Sequence, residues 1–298
     1  MIKVRSISHA TFETPDVARL IDYHTQVTGL TLVGHGDGRA FLASRTGQLA
    51  IELRRADHAR CSGLCFEVSP EDDLVDMARR LTALGIVSDV KSDSAPGLGK
   101  VLAFKDPKGT TIEVFNEWQS LGRSQPFIGV GVLKLGHLAF CVDDPKAMSE
   151  FYARVLGFKV SDWIGDMFVF MRCNADHHTV NFITGPHGRM HHIAFELRDF
   201  SHLQTACDLF GEKNIQIVWG PVRLGPGHNV AAFHRNPDDQ VVEMFAELDL
   251  MKDEALGYYD PRPWHKDHPQ RPKVWPESHG TQYVWGLPPS PEFIRARK

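Results

Sequence analysis

Short apolar runs of strand length, broken by longer amphipathic stretches, set the rhythm of this chain. Near the start, "SISHATFETPDVARLIDYHTQVTGLTLV" reads as an apolar strand opened by a histidine, an Asp, an amphipathic helix carrying a Tyr, then a Gly and a second strand. The same succession returns in "KLGHLAFCVDDPKAMSEFYARVLGFKVS" from Lys134. Helices are expected over 17–28, 70–84, 145–156 and 200–213. Asp16 and Asp144 are placed to cap the first and third, where a carboxylate satisfies exposed N–H groups and meets the positive dipole end.

Aligning the two stretches shows that the chain repeats itself. His9 stands opposite His137 and Tyr23 opposite Tyr152; "SGLCFEV" from Ser62 matches "HHIAFEL" from His191. Further on, "PGLGKVLAFKDPKGTTIEVF" matches "PGHNVAAFHRNPDDQVVEMF", with Glu113 opposite Glu243. The offset drifts slowly, through 128, 129 and 130 residues, as duplication followed by small insertions would leave it. Two modules follow, 1–118 and 133–250, joined by a linker at 119–132 within and after "NEWQSLGRSQPF". Each reads as strand, helix, then several strands, an α+β pattern. The last 48 residues hold eight of the eighteen prolines, too many for much regular structure. Residues 251–298 are expected to be an extended arm wrapping the body.

Composition narrows the class. A hydrophobic content of 42% suffices for a packed core, and a net charge of −4 gives no reason to expect nucleic acid or an acidic membrane surface as partner. No run approaches the ~20 apolar residues of a membrane span, and the first residues lack the apolar segment of a signal peptide. Five scattered cysteines without a CxxC pair suggest reduced thiols and a cytoplasmic protein.

Histidine distribution points to chemistry. Of sixteen histidines only four precede residue 137. In the second module His137 opens the first strand, His192 opens a later one, and Glu243 lies on the last. Two imidazoles and one carboxylate with open positions suit non-haem Fe(II). The first module keeps His9 and Glu113 but has Gly63 in the middle position, so it cannot build the same site, and one metal per chain is expected. Strand alternation turns His191 away from its neighbour, towards the surface. It likewise turns His177 away from His178 and His234 away from Phe233.

With "LGHLAF", "HHTVNF", "HHIAFEL" and "RNPDDQVVEMF" in this order and spacing, the chain resembles the two-module extradiol ring-cleavage dioxygenases of the vicinal-oxygen-chelate (glyoxalase/bleomycin-resistance) superfamily. The likeness covers nearly the whole chain, including "GYYDPRPWHKDHPQRPKVW". It implies tandem βαβββ modules, two such units per module, each module curling a mixed sheet around a cavity. It further implies Fe(II), less often Mn(II), held in the second module by His137, His192 and Glu243. O2 as co-substrate, catechol-type substrates and a homo-oligomer follow from the same likeness. His178 matches the family's acid/base histidine, a group suited to accepting a proton from a bound diol.

Two positions depart from the family. Leu224 stands where a His is usual and Phe233 where a Tyr is usual, removing two hydrogen-bond donors from a dry site, where one can be worth ~3 kcal/mol in a transition state. His228, in the "GPGH" loop, is the nearby candidate to compensate. The expected pocket wall is apolar, from Phe170, Val180, Phe182, Leu224, Ala232 and Phe233, with His228 beside it and Trp163 near the entrance. Such a wall suits a small hydrophobic aromatic. Arg189 and Arg223 are the candidates for holding one anion each. Tail histidines 265, 268 and 279 are expected to be solvated or packed on Trp264 and Trp275. Three readings stay open: an Fe(II)-dependent extradiol dioxygenase; a metal enzyme of the same fold with other chemistry, which Leu224 and Phe233 favour; and a non-enzymatic aromatic binder, against which the intact triad argues.

Overall fold

The computed structural model describes residues 2–122, 128–186 and 188–295, without the side chains of His279 and Arg295. Residues 123–127 of the expected linker, and the surroundings expected for His279, lie outside it. The first module contributes β1 (Ser6–Thr14), α1 (Val17–Tyr23), β2 (Thr31–Gly36), β3 (Arg39–Ala43), β4 (Leu49–Arg55), β5 (Arg60–Glu67), α2 (Leu74–Ala83), β6 (Ser88–Ala95), β7 (Leu98–Lys105) and β8 (Thr111–Phe115). The second repeats the order: β9 (Lys134–Val142), α3 (Pro145–Leu156), β10 (Lys159–Ile164), β11 (Phe168–Arg172), β12 (Val180–Thr184), β13 (Met190–Glu196), α4 (Phe200–Glu212), β14 (Ile217–Leu224), β15 (Val230–Arg235) and β16 (Val241–Ala246). These are four βαβββ units, the expected α+β fold.

Each module closes on one mixed sheet. In the first the order is β2-β3-β4-β1-β5-β8-β7-β6; in the second β10-β11-β12-β9-β13-β16-β15-β14 repeats it. The two unit-opening strands pair antiparallel at the centre, and each runs parallel to the last strand of its own unit. The arm first forms a small hairpin, β17 (Met251–Asp253) with β18 (Tyr258–Tyr259). It then lays β19 (Lys273–Trp275) along β10 and, after the short α5 (His279–Gln282), β20 (Tyr283–Trp285) along β14. Both edges of the second sheet are thereby covered, which removes unpaired ladder groups from solvent. A last turn, α6 (Pro291–Arg295), follows.

Asp16 and Asp144 cap α1 and α3 as expected, each accepting a backbone N–H three residues on, at 3.0 and 2.9 Å. Two boundaries differ from expectation. The helix expected over 17–28 ends at Tyr23, and residues 24–28 form a wider π-turn closed by Gly29 in the left-handed region. There the Thr28 hydroxyl donates to the His24 carbonyl at 2.6 Å, a local bond competing with regular winding. The helix expected from residue 70 begins at Leu74, because Asp72 accepts the Ser69 N–H and Asp73 accepts that of Val75, holding "PEDD" as turn and cap.

One apolar cluster runs through both modules, from Ile7, Leu20 and Phe66 to Phe140, Tyr152 and Phe195. The seam carries a reciprocal pair of tyrosines. The Tyr23 hydroxyl on α1 is hydrogen-bonded with His234 Nε2 at 2.6 Å, and its repeat partner Tyr152 on α3 donates to Asp106 at 3.0 Å. No helix among the described residues is long and apolar enough to cross a membrane.

Candidate metal centre

The centre of the second sheet sets the geometry. In its register Ala194 on β13 lies opposite both His137 on β9 and Glu243 on β16, so the three strands converge there. His137, His192 and Glu243 each offer a ligand atom within 4.8 Å of the other two. Nε2 of His137 lies 3.2 Å and Nε2 of His192 3.3 Å from the same oxygen, Oε2 of Glu243. Its other oxygen accepts from the Asn229 amide at 2.7 Å.

Two β-bulges deliver these side chains. Between Met190 and His192 the ladder advances two residues on β13 for one on β9, leaving His191 as the extra residue; Gly136 plays that part on β9. A bulge breaks the alternation of faces. His191 is therefore not turned towards the surface: it is 2% exposed and lines the same cavity as His192. The two Nδ1 atoms lie 2.7 Å apart. If Nε2 of His192 ligates a metal, its Nδ1 carries the proton and donates to His191, which then fixes both tautomer and ring orientation.

Burial makes the site hostile to charge on its own groups. It pushes His137 down to about 3 and His178 well below its usual value, so both rings are neutral at pH 7. It pushes Glu243 up to about 7, against the opposing influence of His192 and Asn229. Among the described residues Glu243 has no Lys or Arg partner. A neutral His137 and a buried carboxylate with no Lys or Arg partner, beside a second imidazole, fit a divalent metal, which supplies positive charge to the carboxylate.

His178 lies beside this trio, its ring centroid 4.2 Å from that of His137. His177 and His178 precede β12 in a loop, so strand alternation does not apply to them. His177 is buried and joins a chain: Nε2 lies 3.1 Å from Asp162 Oδ2, and Nδ1 lies 2.9 Å from Nδ1 of His178. The carboxylate can only accept, so Nε2 of His177 donates to it; in the arrangement where His178 donates through Nδ1 to the Nδ1 lone pair of His177, Nε2 of His178 is left a bare base. Asp162 is held in turn by the arm, through the Lys273 N–H at 2.8 Å and the Trp275 indole N–H at 2.7 Å.

A cavity of about 80 Å³ opens over the trio. Phe170, Leu224 and Phe233 line it, as do His178 and Asn181. Val180, Phe182 and Ala232 do not; they belong to the central core, since on β12 it is Asn181 and Ile183 that face the cavity. Trp163 likewise packs on the core while its neighbour Ile164 lines the cavity. His228 does not swing inward: it is buried, with Nδ1 2.7 Å from Asp249, whose other oxygen lies 2.8 Å from Nε2 of His265. His265 is thus a buried, bonded residue rather than a solvated one, while His268 is exposed. Arg223 is committed to Glu247 at 2.7 Å and stacks on Trp264, and Arg189 is exposed beside a separate groove. His234 does face away from the cavity, towards Tyr23.

Residues that the sequence did not single out complete the wall. Phe233 stacks on Trp219 at 5.1 Å and meets Phe293 of α6 edge-on at 4.9 Å, so an aromatic cluster occupies the side where two polar groups were expected. The Asn181 amide is 1% exposed, and neither its oxygen nor its nitrogen has a hydrogen-bond partner. A buried amide left unpaired is costly, and here it lines the cavity. Its signal in the sequence was a polar residue inside the apolar run "TVNFI".

The model of the Glyoxalase/Bleomycin resistance protein/Dioxygenase superfamily matches residues 6–114 and 134–244. Biphenyl-2,3-diol 1,2-dioxygenase of Paraburkholderia xenovorans (strain LB400) is 29% identical over 229 residues, 70% of this chain and 76% of that protein. Manganese-dependent 2,3-dihydroxybiphenyl 1,2-dioxygenase of Geobacillus genomosp. 3 is 20% identical over 298 residues, 92% of this chain and 94% of that one. The crystal structure of the Mn(II)-bound glyoxalase from Novosphingobium aromaticivorans superposes with a TM-score of 0.84 at 24% identity, covering 98% of this chain and 94% of that one. At that identity the structural likeness is one of fold.

Proposed function

The chain belongs to the Glyoxalase/Bleomycin resistance protein/Dioxygenase superfamily, and on that premise we propose that it is a metal-dependent extradiol dioxygenase, opening the ring of a small hydrophobic catechol beside one hydroxyl. The observation that carries this reading is the trio of His137, His192 and Glu243 under an apolar cavity, with a neutral histidine, His178, at its rim. The donor set suits Fe(II), with Mn(II) the alternative that the manganese-dependent relative supports. Such an ion supplies open positions for the two oxygens of a diol and electron density for dioxygen.

The chain's own residues do the rest. Nε2 of His178 takes a proton from a diol hydroxyl, and the His177–Asp162 pair behind it stabilises the resulting imidazolium. His191 keeps His192 in the tautomer that binds. The aromatic cluster of Trp219, Phe233 and Phe293 holds the substrate ring and excludes water. The unpaired Asn181 amide stands in for the donors that Leu224 and Phe233 no longer provide, hydrogen-bonding the bound diol or the oxygen that attacks it.

Leu224 and Phe233 also favour a second reading, a metal enzyme of this fold acting on another substrate class. Protein purified without air, assayed for iron and manganese, then mixed with air and a panel of substituted catechols separates the two. Oxygen uptake with a yellow ring-opened product supports the dioxygenase. A filled second-module site without oxygen uptake across the panel sinks it in favour of the second reading.

A further inference from the structure

The first module was expected to lack a metal because Gly63 replaces the middle histidine. Its sheet nevertheless brings a different trio to the equivalent place. Cys65 on β5 lies directly opposite His9 on β1 and opposite Glu113 on β8. This is the register in which Ala194 lies between His137 and Glu243 in the second sheet. Gly63 and Cys65, two residues apart on β5, share a face as His192 and Ala194 do. A thiol two positions along the strand thus stands in for the lost imidazole.

His9, Cys65 and Glu113 are 0%, 1% and 8% exposed, and one ligand atom from each lies within 4.8 Å of the others. Nε2 of His9 is buried without a hydrogen-bond partner. The nearby arginines are already engaged: Glu52 binds Arg39 through Oε1 at 2.8 Å and Arg54 through both oxygens, at 2.7 and 2.9 Å. Among the described residues Glu113 makes no ion pair of its own. An orphaned imidazole, a thiol and a carboxylate without a direct ion pair, on three adjacent strands, are an improbable set to bury for packing alone.

We propose that the first module holds a divalent cation of the zinc class between His9, Cys65 and Glu113. Zinc accepts nitrogen, sulfur and oxygen together, and Glu113 can offer two oxygens to complete four donors. Binding forms a metal–sulfur bond and releases the Cys65 proton to solvent, with no redox change. Around Cys65 lie Leu49, Ala95, Leu98, Val101 and Phe115, an apolar cluster suited to a structural tie across β1, β5 and β8.

Sulfur makes this site distinguishable from the other, which has only nitrogen and oxygen donors. Metal-free full-length protein titrated with Co(II) under argon should take up two ions per chain and develop a near-ultraviolet sulfur-to-cobalt charge-transfer band. Cys65→Ser should lose the band and one ion; Glu243→Gln should lose one ion and keep the band. His9→Gln retains the sulfur and should weaken cobalt uptake, which covers the case that Cys65→Ser does not fold. Absence of the band from the unaltered protein, or its persistence in Cys65→Ser, overturns the proposal. Neither result bears on the second module, which the Glu243→Gln arm reports separately.

Discussion

Asp162 and Asn181 are where single side chains have the most to reveal. If His178 acts as base through the chain behind it, Asp162→Asn keeps the shape but weakens the hold on His177. Turnover should fall about 10- to 100-fold with little change in KM, and the acidic limb of the rate profile should move. An unaltered profile would reduce Asp162 to a structural acceptor for the arm. Asn181→Ala should lower kcat/KM about 100-fold, the usual order for one lost donor in a dry site, with iron content unchanged; an undiminished rate would show that the amide touches nothing that reacts. At this scale the sequence was legible for residues whose identity is itself unusual, such as His137, His192 and Glu243, which the internal repeat and the family resemblance singled out and the structure brings together. It was misleading for His191 and His177, because facing was inferred from a regular pleat. One of them sits on a bulge and the other in a loop. Asn181 passed unnoticed because nothing in a sequence tells a satisfied amide from an orphaned one.

Between residue and molecule, the bulges matter more than the strands that carry them. The first sheet has the same two irregularities, between Ile7 and His9 and between Thr11 and Phe12, so the bulges belong to the repeat and not to one copy's chemistry. In the second sheet one of them needs Gly136: a Cβ there would come within 2.4 Å of the Phe245 ring. Gly136→Ala should therefore cost about 1–3 kcal/mol as overpacking and tilt His137 from the trio. Thermal unfolding and bound iron should both fall, and adding Phe245→Leu should restore them. Full iron in the single variant would show that the bulge tolerates a side chain. Helices were read closely where an aspartate caps them, as at α3. They were misjudged where side chains bond their own backbone, as at residues 24–28 and 70–73. The succession of strand, helix and further strands followed from the repeat, but the pairing of the arm with both sheet edges did not, since proline density marks only what such a segment cannot become.

The molecule as a whole is held at its seam by groups that must stay neutral. Burial pushes His24 and His234 down to about 3, and the neutral His234 ring shares a hydrogen bond with the Tyr23 hydroxyl. In the unfolded chain these histidines titrate near 6.5, so between that pH and about 3 the unfolded state takes up protons that the folded state refuses. Their contribution is complete above 6.5 and declines as pH falls, by about 1.4 kcal/mol per unit for each ring. Urea midpoints should drop steadily from pH 6.5 to 5, with a shallower slope in His234→Gln; a flat profile would mean that the seam opens to water. The arm has a consequence of a different kind. Trp275 donates its indole N–H to Asp162, one imidazole removed from the base that serves the cavity. Indole emission responds to the charge accepting its hydrogen bond, so this tryptophan is a native optical probe of the site. Comparing emission with that of Trp275→Phe should isolate its signal among the six tryptophans. Proton movement at His178 could then be followed in real time, with no label and no chromophoric substrate.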